Sequence, residues 1–308
     1  MNTVVEMKGL VKKYGDRIVV NGVDLDILQG ECFGILGPNG AGKTTTMKMI
    51  YGSVEITQGE LYVRGLNTKV NRREVKNLIG VVPQEDGLDV DFTVKENLLL
   101  YASYFGINQQ VARHRCEDLM RLMRLEEYQD REVLELSGGL RRRVAIGRGM
   151  INKPEVLILD EPTAGLDPQA RMWIWSFLRR LKEDMNTVIM TTHYMEEAEQ
   201  ICDRIAIMDK GKVLTVGRPK DLIKEHIGTQ VVEVEVNVND LNYYGNRLVQ
   251  SGYSYQVIGQ RLTIHLKEYQ NSKEVVSIVV GKKTTVREPS LSDVFLKLAG
   301  HDLREGPL

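Results

Sequence analysis

The stretch that decides the fold is Gly37-Pro38-Asn39-Gly40-Ala41-Gly42-Lys43-Thr44. It fits the pattern G-x-x-x-x-G-K-[S/T], whose glycines let backbone N–H groups curl around phosphate oxygens. An apolar run at residues 32–36 precedes it as a strand, and residues 44–51 follow with the pattern of a helix, whose positive N-terminal end favours an anion. The pattern predicts a nucleotide site in which Lys43 reaches the β- and γ-phosphates and the Thr44 hydroxyl holds Mg²⁺. The adjacent Thr45 is predicted to be part of this site.

Further apolar runs have the composition of buried strands. Residues 156–159 (VLIL) and 187–190 (TVIM) contain almost no polar side chain. Uninterrupted runs of this kind are typical of a parallel sheet that is covered on both faces. Between about residues 92 and 150 the pattern is helical instead. We therefore predict an α/β domain over residues 1–225, with a helical subdomain at about 92–150.

An acidic pair, Asp160-Glu161, closes the run at residues 156–159. A carboxylate at the end of such a strand suits the coordination shell of Mg²⁺, so Asp160 is a predicted metal-binding residue. The next carboxylate, Glu161, is then placed to orient and polarise a water molecule for attack on the terminal phosphate. Alone, the pair would be interpreted as an exposed strand cap, but together with the Lys43 loop it indicates a catalytic site.

The composition is that of an ordinary globular chain. Of its 308 residues 42% are hydrophobic and 27% charged, with a formal net charge of −1. Three cysteines, Cys32, Cys116 and Cys202, form no C-x-x-C pair, so we predict buried structural thiols. There is no basic tail, and no nucleic-acid partner is expected. Residues 1–15 lack the apolar core of a signal peptide and no apolar run reaches ~18 residues, so we expect any membrane-spanning part to be a separate chain.

The segment Leu136-Ser137-Gly138-Gly139 lies between these two motifs and opens a helical run rich in arginine. A hydroxyl and glycines at a helix N-terminus form an anion site. The segment resembles the signature motif of ABC ATPases. The resemblance implies that Ser137, Gly138 and Gly139 bind the γ-phosphate of the nucleotide on the opposite subunit of a dimer. We interpret the arginines at residues 141–143 as a solvated or interface helix face rather than an RNA-binding surface.

Four further residues match motifs of the ABC family in the family's order. Tyr14 resembles the aromatic residue that stacks on adenine, and Gln84, in V-V-P-Q-E, resembles the glutamine that contacts Mg²⁺ and the attacking water. Asp167, in A-G-L-D, matches the loop that communicates across the dimer, and His193 matches the histidine that contacts the γ-phosphate. The implied catalytic residues are Lys43, Glu161 and His193. The implied metal-binding residues are Thr44, Gln84 and Asp160.

One position departs from the family pattern, because Leu140 stands where the family usually has glutamine after L-S-G-G. The contacts of that glutamine side chain do not carry over, whereas those of Ser137 and the backbone do. A residue other than glutamine followed by arginines is similar to the branch that exports drugs, lipids and saccharides. The tail at residues 287–298 (REPSLSDVFLKL) resembles ATPase subunits of the daunorubicin-resistance and nodulation-factor export type. Within it Ser290 is a predicted N-cap, and the following helix has an apolar stripe for the core or a dimer contact: Leu291, Val294, Phe295 and Leu298.

After residue 225 short strands and helices alternate, beginning with V-V-E-V-E-V at residues 231–236. A helix is predicted at residues 241–250, strands near 253–258 and at 261–266, a helix at 272–280, a strand near 284–287 and a last helix at 291–298. The predicted order β-α-β-β-α-β is that of a small ferredoxin-like unit. The predicted fold is therefore α/β, a P-loop NTPase (RecA-like) core sheet with a helical ABC subdomain, followed by a small α+β ferredoxin-like C-terminal domain over residues 226–308.

The resemblance covers about residues 4–225 and implies an ATPase that uses ATP and Mg²⁺. It implies a head-to-tail dimer, of two copies or of this chain and a close homologue, that drives a separate polytopic membrane permease from the cytoplasmic face of the membrane. A soluble ABC ATPase acting on nucleic acid or ribosomes is the first alternative, although such proteins commonly carry paired cassettes, coiled coils or zinc-binding cysteines. A regulatory module without turnover would lack Glu161 or His193, and an importer is the alternative within transporters. The sequence does not name the cargo, whose contacts are expected in the permease.

Overall fold

The computed structural model describes residues 2–183, 187–268 and 270–300, so residues 301–308 of the predicted accessory domain lie outside it. The chain divides into two compact units, one ending at Val216 and the other starting at Gly217. Strands of the first unit are β1 (Thr3–Tyr14), β2 (Arg17–Leu28), β3 (Cys32–Leu36), β4 (Gln58–Val63), β5 (Leu66–Asn67), β6 (Ile79–Val82), β7 (Val156–Asp160), β8 (Thr187–Thr192), β9 (Arg204–Asp209) and β10 (Lys212–Gly217). Its helices are α1 (Lys43–Ile50), α2 (Arg72–Leu78), α3 (Val94–Tyr104), α4 (Gln109–Met123), α5 (Gly138–Gly149), α6 (Pro168–Glu183) and α7 (Met195–Ile201).

A six-stranded sheet in the order β10-β9-β3-β8-β7-β6 forms the centre of the first unit. The strand pairs β3–β8, β3–β9, β7–β8 and β6–β7 are all parallel. Every residue of β3, β7 and β8 is buried, as their apolar sequences predict. In the register Leu36 lies opposite Thr192 and Asp160 opposite Thr191, so the carboxyl ends of three adjacent strands meet at one edge. That edge is where ligands bind in open parallel sheets.

A second, antiparallel sheet in the order β2-β1-β4-β5 belongs to the same unit and was not predicted from the sequence. It shares one hydrophobic core with α1 and the central sheet, in which Val5 and Leu61 of the antiparallel strands join Phe33 and Ile158 of the parallel ones. The three free cysteines, Cys32, Cys116 and Cys202, are buried, as predicted.

Helices α3, α4 and α5 occupy the predicted helical segment. Thr93 and Glu96 form a capping box at the start of α3, which fixes where that helix begins. Ser137 is the N-cap of α5, and its Oγ accepts a hydrogen bond from the Leu140 amide at 3.4 Å. Helix α5 is buried along most of its length, because α3 and α4 pack against it. None of the helices in the described part of the chain is both long and apolar enough to span a bilayer.

The second unit contains α8 (Pro219–His226), β11 (Gln230–Glu235), α9 (Leu241–Gln250), β12 (Tyr255–Ile258), β13 (Arg261–Leu266), α10 (Ser272–Ile278), β14 (Thr284–Arg287) and α11 (Leu291–Ala299). Its sheet has the order β12-β13-β11-β14 with every pair antiparallel, which is the ferredoxin-like arrangement. In α11 the predicted stripe residues Leu291, Val294 and Phe295 are buried. Helix α8 contacts α11, and Lys297 Nζ donates to the carbonyl oxygen of His226 at 2.5 Å.

An ion pair joins β14 to the start of α11. The Arg287 guanidinium donates to both carboxylate oxygens of Asp293, at 2.7 and 2.8 Å, and the Ser290 amide donates to the same carboxylate at 2.8 Å. Burial raises the pKa of Asp293, but Arg287 and the Ser290 amide outweigh it and leave that pKa below its usual value of 3.8. A lowered carboxyl pKa contributes stability that is present above the unfolded-state pKa and is lost as the pH falls through the folded-state pKa.

We expect Asp293→Asn to lower the free energy of unfolding of this unit by about 2–3 kcal/mol at pH 7. That is less than the ~3–5 kcal/mol typical of a broken buried pair, because Arg287 is 35% exposed and keeps Glu233 as a partner. The deficit should begin to shrink below about pH 3.8, where the carboxyl group of the unfolded chain becomes protonated, and should shrink further as the pH falls through the lower pKa of the folded state. Hydrogen exchange over residues 230–298 of the full chain at rising urea concentration measures this loss in the free energy of unfolding. The control Glu235→Gln, at a carboxylate that is 42% exposed, should cost below about 1 kcal/mol. An equal deficit at pH 7 and about pH 3 would contradict the charge-based explanation.

Candidate ATP-binding and hydrolysis site

Two glycines of the loop between β3 and α1 lie too close to neighbouring backbone for a side chain. A Cβ on Gly37 would lie 2.2 Å from the Met208 carbonyl oxygen, and one on Gly42 would lie 2.7 Å from that of Val19. Gly42 also has φ +101°, which favours glycine. Helix α1 follows directly and has no side-chain cap at its N-terminus. The loop therefore has the tight glycine turn and the uncapped helix start that suit a phosphate group.

Lys43 is the first residue of α1, and its side chain folds back against this loop and is only 4% exposed. Its ammonium donates to the carbonyl oxygens of Gly37 and Pro38, at 2.9 and 3.0 Å, and lies 3.8 Å from the nearest carboxylate oxygen of Glu161. Burial lowers the pKa of Lys43, against the opposing effect of the neighbouring carboxylates. Because the nearest partners of this buried ammonium are neutral carbonyls, its charge is only partly compensated. The phosphate oxygens of a nucleotide would compensate it fully.

The hydroxyl of Thr44 reaches the end of β7. Its Oγ1 donates to Asp160 Oδ1 at 3.1 Å, and the hydroxyl of Thr191 on β8 donates to the same oxygen. A hydroxyl and a carboxylate are hard oxygen ligands of the kind that Mg²⁺ prefers, and few protein ligands suffice when nucleotide phosphates supply others. No group of three or more His, Cys, Asp or Glu side chains in the described residues could hold a metal by itself. The pair of Thr44 and Asp160 therefore fits Mg²⁺ that is bound together with a nucleotide.

Glu161 follows Asp160 with φ +45°, a left-handed conformation that is uncommon for a residue with a side chain. Its carboxylate lies between the ammonium of Lys43 and the ring of His193, whose Nδ1 is 3.1 Å from Glu161 Oε2, although this contact lacks the angle of a regular hydrogen bond. Contact with His193 and the charge of Lys43 lower the pKa of Glu161, while burial opposes them. The carboxylate is therefore ionised at neutral pH, as a residue that accepts a hydrogen bond from water must be.

The structure brings five of the predicted residues together at this edge of the sheet: Lys43, Thr44, Asp160, Glu161 and His193. Pro38 is buried in the loop, Asn39 and Gly40 are exposed at its tip, and Thr45 is half-buried in α1. Tyr14 lies at the end of β1, is 50% exposed and has Lys12 Nζ 4.7 Å from its ring centroid.

The predicted signature residues form a second group. Ser137, Gly139 and Asp167 line a cleft of about 650 Å³ together with Arg124 and Arg143. Asp167 Oδ1 accepts a hydrogen bond from the amide of Ala170 at 2.9 Å, at the start of α6. Across the described residues, no hydrogen bond or ion pair connects this cleft to Lys43, Asp160 or Glu161. Within one chain these residues therefore form a group separate from the one at the end of the central sheet.

Sequence analysis missed two residues that organise the site, Thr191 and Arg142. Thr191 Oγ1 donates to Asp160 and accepts from the Glu161 amide at 3.0 Å, and the only sequence signal was a hydroxyl at the end of an apolar strand. The interpretation of the arginines at 141–143 as a solvated or interface face was wrong for Arg142. This residue is 4% exposed and donates to backbone carbonyls, including that of Gln84, whose own side chain is exposed. The arginine-rich composition of the segment concealed this burial.

A glycine loop between a buried parallel strand and a helix, with paired acids at the end of a neighbouring strand, defines a P-loop nucleotide-binding domain. A family model described as ABC transporter matches residues 20–164. The chain is 40% identical to Nod factor export ATP-binding protein I of Rhizobium sp. (strain N33), over 98% of each chain. It is also 40% identical to the protein of the same name from Ralstonia nicotianae, over 98% of this chain and 95% of that one.

Solved structures with similar folds include cbiO1 from Clostridium perfringens, part of the ABC transporter complex cbiONQ. It has a TM-score of 0.67 and 26% identity, covering 82% of this chain and 98% of that chain. A dimeric ATP-binding cassette bound to ADP and Pi has a TM-score of 0.63 and 29% identity, covering 70% and 98%. The chain belongs to the ABC transporter family, as an ATP-binding subunit with ATPase activity. The family resemblance and the predicted fold class are thereby confirmed.

Proposed function

We propose that this chain is the ATP-hydrolysing subunit of an exporter of drugs, lipids or saccharides. It acts at the cytoplasmic face of the membrane on a separate polytopic permease. The observation that carries the proposal is the similarity to proteins named for export, which extends over 98% of both chains and so includes the second compact unit as well as the ATPase domain.

For hydrolysis we assign Lys43 to the β- and γ-phosphates of ATP, Glu161 to the attacking water and His193 to the γ-phosphate. Thr44 and Asp160 would hold Mg²⁺, with Gln84 as a further ligand. Bound Mg²⁺ neutralises charge on the phosphate oxygens. The ammonium of Lys43 stabilises the charge that develops on the transferring phosphoryl group, and the ionised Glu161 orients water against it. Tyr14, exposed at the end of β1, would stack on adenine.

The active form in this proposal is a head-to-tail dimer, of two copies or of this chain and a close homologue. Ser137, Gly138 and Gly139 of one subunit contact the γ-phosphate held by Lys43 of the other. One support is that the Lys43 group and the Ser137 group are separate within one chain. Another is the start of α5, where the Ser137 hydroxyl lies at a helix N-terminus and lines the same cleft as Arg143. Loss of the bridging phosphate would then open the dimer.

We propose residues 1–225 as the nucleotide-binding domain, with its helical subdomain at about 92–150, and residues 226–308 as an accessory domain. The proposed boundary lies one helix, α8, beyond the start of the second compact unit at Gly217. The accessory domain contains no residue of the proposed hydrolysis site.

We propose that the permease docks on a groove of about 1010 Å³ in the first unit. Aromatic side chains of α3 and the residue after it line one side, and basic side chains of α2 line another: Tyr101, Tyr104, Phe105, Arg72, Arg73 and Lys76. Arg148, also in the lining, donates to the carbonyl oxygens of Asp86 and Gly87. A partner in this groove would therefore contact the support of the Gln84 loop.

Co-purification tests this function. A tagged Glu161→Gln chain, trapped with Mg-ATP in its host and extracted in detergent, should retain a polytopic membrane protein in stoichiometric amount. Tyr104→Asp in the same background should lose it while the chain still binds ATP, because Tyr104 is 70% exposed in the groove. Val70→Asp is the matched control, since Val70 is 80% exposed but does not line the groove. Recovery of ribosomes or nucleic acid, with no membrane protein, would reject the transport function and leave the ATPase assignment standing.

A further inference from the structure

The Arg142 guanidinium is buried between two segments of the chain that are distant in sequence. On one side its Nε donates to the Pro162 carbonyl oxygen at 2.9 Å, and its Nη2 donates to those of Asp160 at 2.9 Å and Glu161 at 3.3 Å. These three consecutive carbonyls begin at the last residue of β7, where the ladder to β8 stops. One edge of the guanidinium therefore replaces the sheet hydrogen bonds that this segment lacks.

The other edge of Arg142 holds the loop that contains Gln84. Its Nη1 donates to the carbonyl oxygens of Pro83 at 2.6 Å and of Gln84 at 3.3 Å, and it lies 3.4 Å from Asp86 Oδ1. Asp86 is the one carboxylate among these partners, and the other acceptors are neutral. Burial lowers the pKa of Arg142, so its position costs desolvation. Removing the side chain would take this donor away from carbonyls on both segments, of which that of Glu161 keeps the Ala164 amide as a second donor.

The backbone of Glu161 is held from two directions. Its amide donates to Thr191 Oγ1 at 3.0 Å, and its carbonyl accepts from Arg142. Its φ of +45° is a conformation that persists only where the surroundings enforce it. Because this φ directs the side chain towards Lys43 and His193, the two anchors set where the carboxylate lies.

We propose that Arg142 is a positioning residue for ATP hydrolysis, which ties the Gln84 loop to the backbone of Glu161. A displacement of the loop is passed through one rigid guanidinium to the carboxylate that orients water. This inference rests on the proposed roles of Glu161 and Gln84. It assigns to the signature helix α5 a second task, performed within its own subunit.

Arg148 offers a matched control. It belongs to the same helix, is 8% exposed and donates to the same loop, at Asp86 and Gly87, whereas none of its hydrogen bonds in the described chain reaches residues 160–162. Lysine at either position keeps a positive charge but loses the planar guanidinium group with its several donors. At position 142 that group is what bonds to two segments at once. Comparing Arg142→Lys with Arg148→Lys thus distinguishes the hydrogen bonds of Arg142 to the Glu161 backbone from general support of the Gln84 loop.

In the full-length chain we expect Arg142→Lys to lower kcat for ATP by about 10- to 100-fold, with KM within about threefold, because a misplaced catalytic group costs rate more than binding. Arg115→Lys, at a half-buried arginine of α4 that donates to the carbonyl oxygen of Ile151 at 3.0 Å, should keep kcat within about threefold. Hydrogen exchange should increase at both residues 83–87 and 160–163 in Arg142→Lys, and at 83–87 alone in Arg148→Lys. A purely structural Arg142 would not produce this kcat-against-KM split.

The inference is overturned if folded Arg142→Lys keeps its kcat within threefold, or if the control Arg115→Lys lowers kcat equally. If Arg142→Lys does not fold, Asp86→Ala decides, since Asp86 is 27% exposed and its loss removes the one charged partner of the guanidinium. An unchanged kcat there would reject the inference, and a fall of about threefold or more at constant KM would support it. Glu161→Gln is measured in the same assay. Wild-type turnover in Glu161→Gln would contradict the proposed function. An inactive Glu161→Gln together with a fully active Arg142→Lys would contradict only the role of Arg142.

Discussion

Glu161→Gln is expected to lower kcat for ATP hydrolysis by about 10²- to 10⁴-fold, the usual contribution of a positioned general base. Glutamine has nearly the same shape, so it fits the space between Lys43 and His193, but it carries no charge to polarise water. Burial of Glu161 is not what makes it effective, because His193 and Lys43 keep its pKa low in spite of burial. ATP binding should survive the change, since the contacts assigned to the phosphates come from the loop and Lys43.

The measurement is phosphate release under saturating Mg-ATP, with nucleotide affinity determined separately. Glu31→Gln is the control, because Glu31 is equally buried, at 8% exposure, but lies just before β3, at the opposite end of the strand from the loop. Its turnover should stay within about threefold of the wild type, as expected of a change away from the reacting atoms. Turnover of Glu161→Gln above a tenth of the wild-type value would show that another group orients the water.

Lys43→Ala is expected to lower kcat/KM for ATP by about 10³-fold or more, and here binding should fall as well as rate. Hydrogen bonds to charged groups are worth about 1.5–3 kcal/mol each in binding, and a removed transition-state donor costs a further ~10²-fold in kcat. The side chain is 4% exposed, and no other lysine or arginine of the described chain lies within salt-bridge distance of Glu161. No neighbour can therefore replace its charge.

Titration with a fluorescent nucleotide measures the loss of affinity, and phosphate release measures the loss of rate. Lys48→Ala is the matched control, since Lys48 belongs to the same helix α1, faces solvent and lies in its last turn. It should bind ATP as the wild type does. Unchanged hydrolysis in Lys43→Ala would overturn the assignment of the loop, and wild-type affinity with lost turnover would restrict Lys43 to the transition state.

Several elements followed from the sequence with correct bounds because their causes are local. Helix α9 and strands β13 and β14 begin and end where periodicity and the flanking turns predicted. The strand, glycine loop and helix at residues 32–50 follow from apolar side chains, φ values that favour glycine and an uncapped helix start. The pairing of Lys43 with Asp160 and Glu161 was also predictable, because acids at the end of a parallel strand and a loop at the end of another meet at one edge.

Tertiary structure alone decided the features that depend on distant partners. Strand β1 pairs with β4, although β3 and α1 lie between them in the sequence, and nothing in the residues of β1 indicates that partner. Arg142 finds its acceptors 18 to 59 residues away, and Thr191 lies about 30 from the residues it bonds. A buried arginine is costly unless its donors are satisfied, and local sequence cannot show whether such acceptors are present. The left-handed φ of Glu161 has the same origin, since it is held in place by a hydroxyl on β8 and a guanidinium on α5.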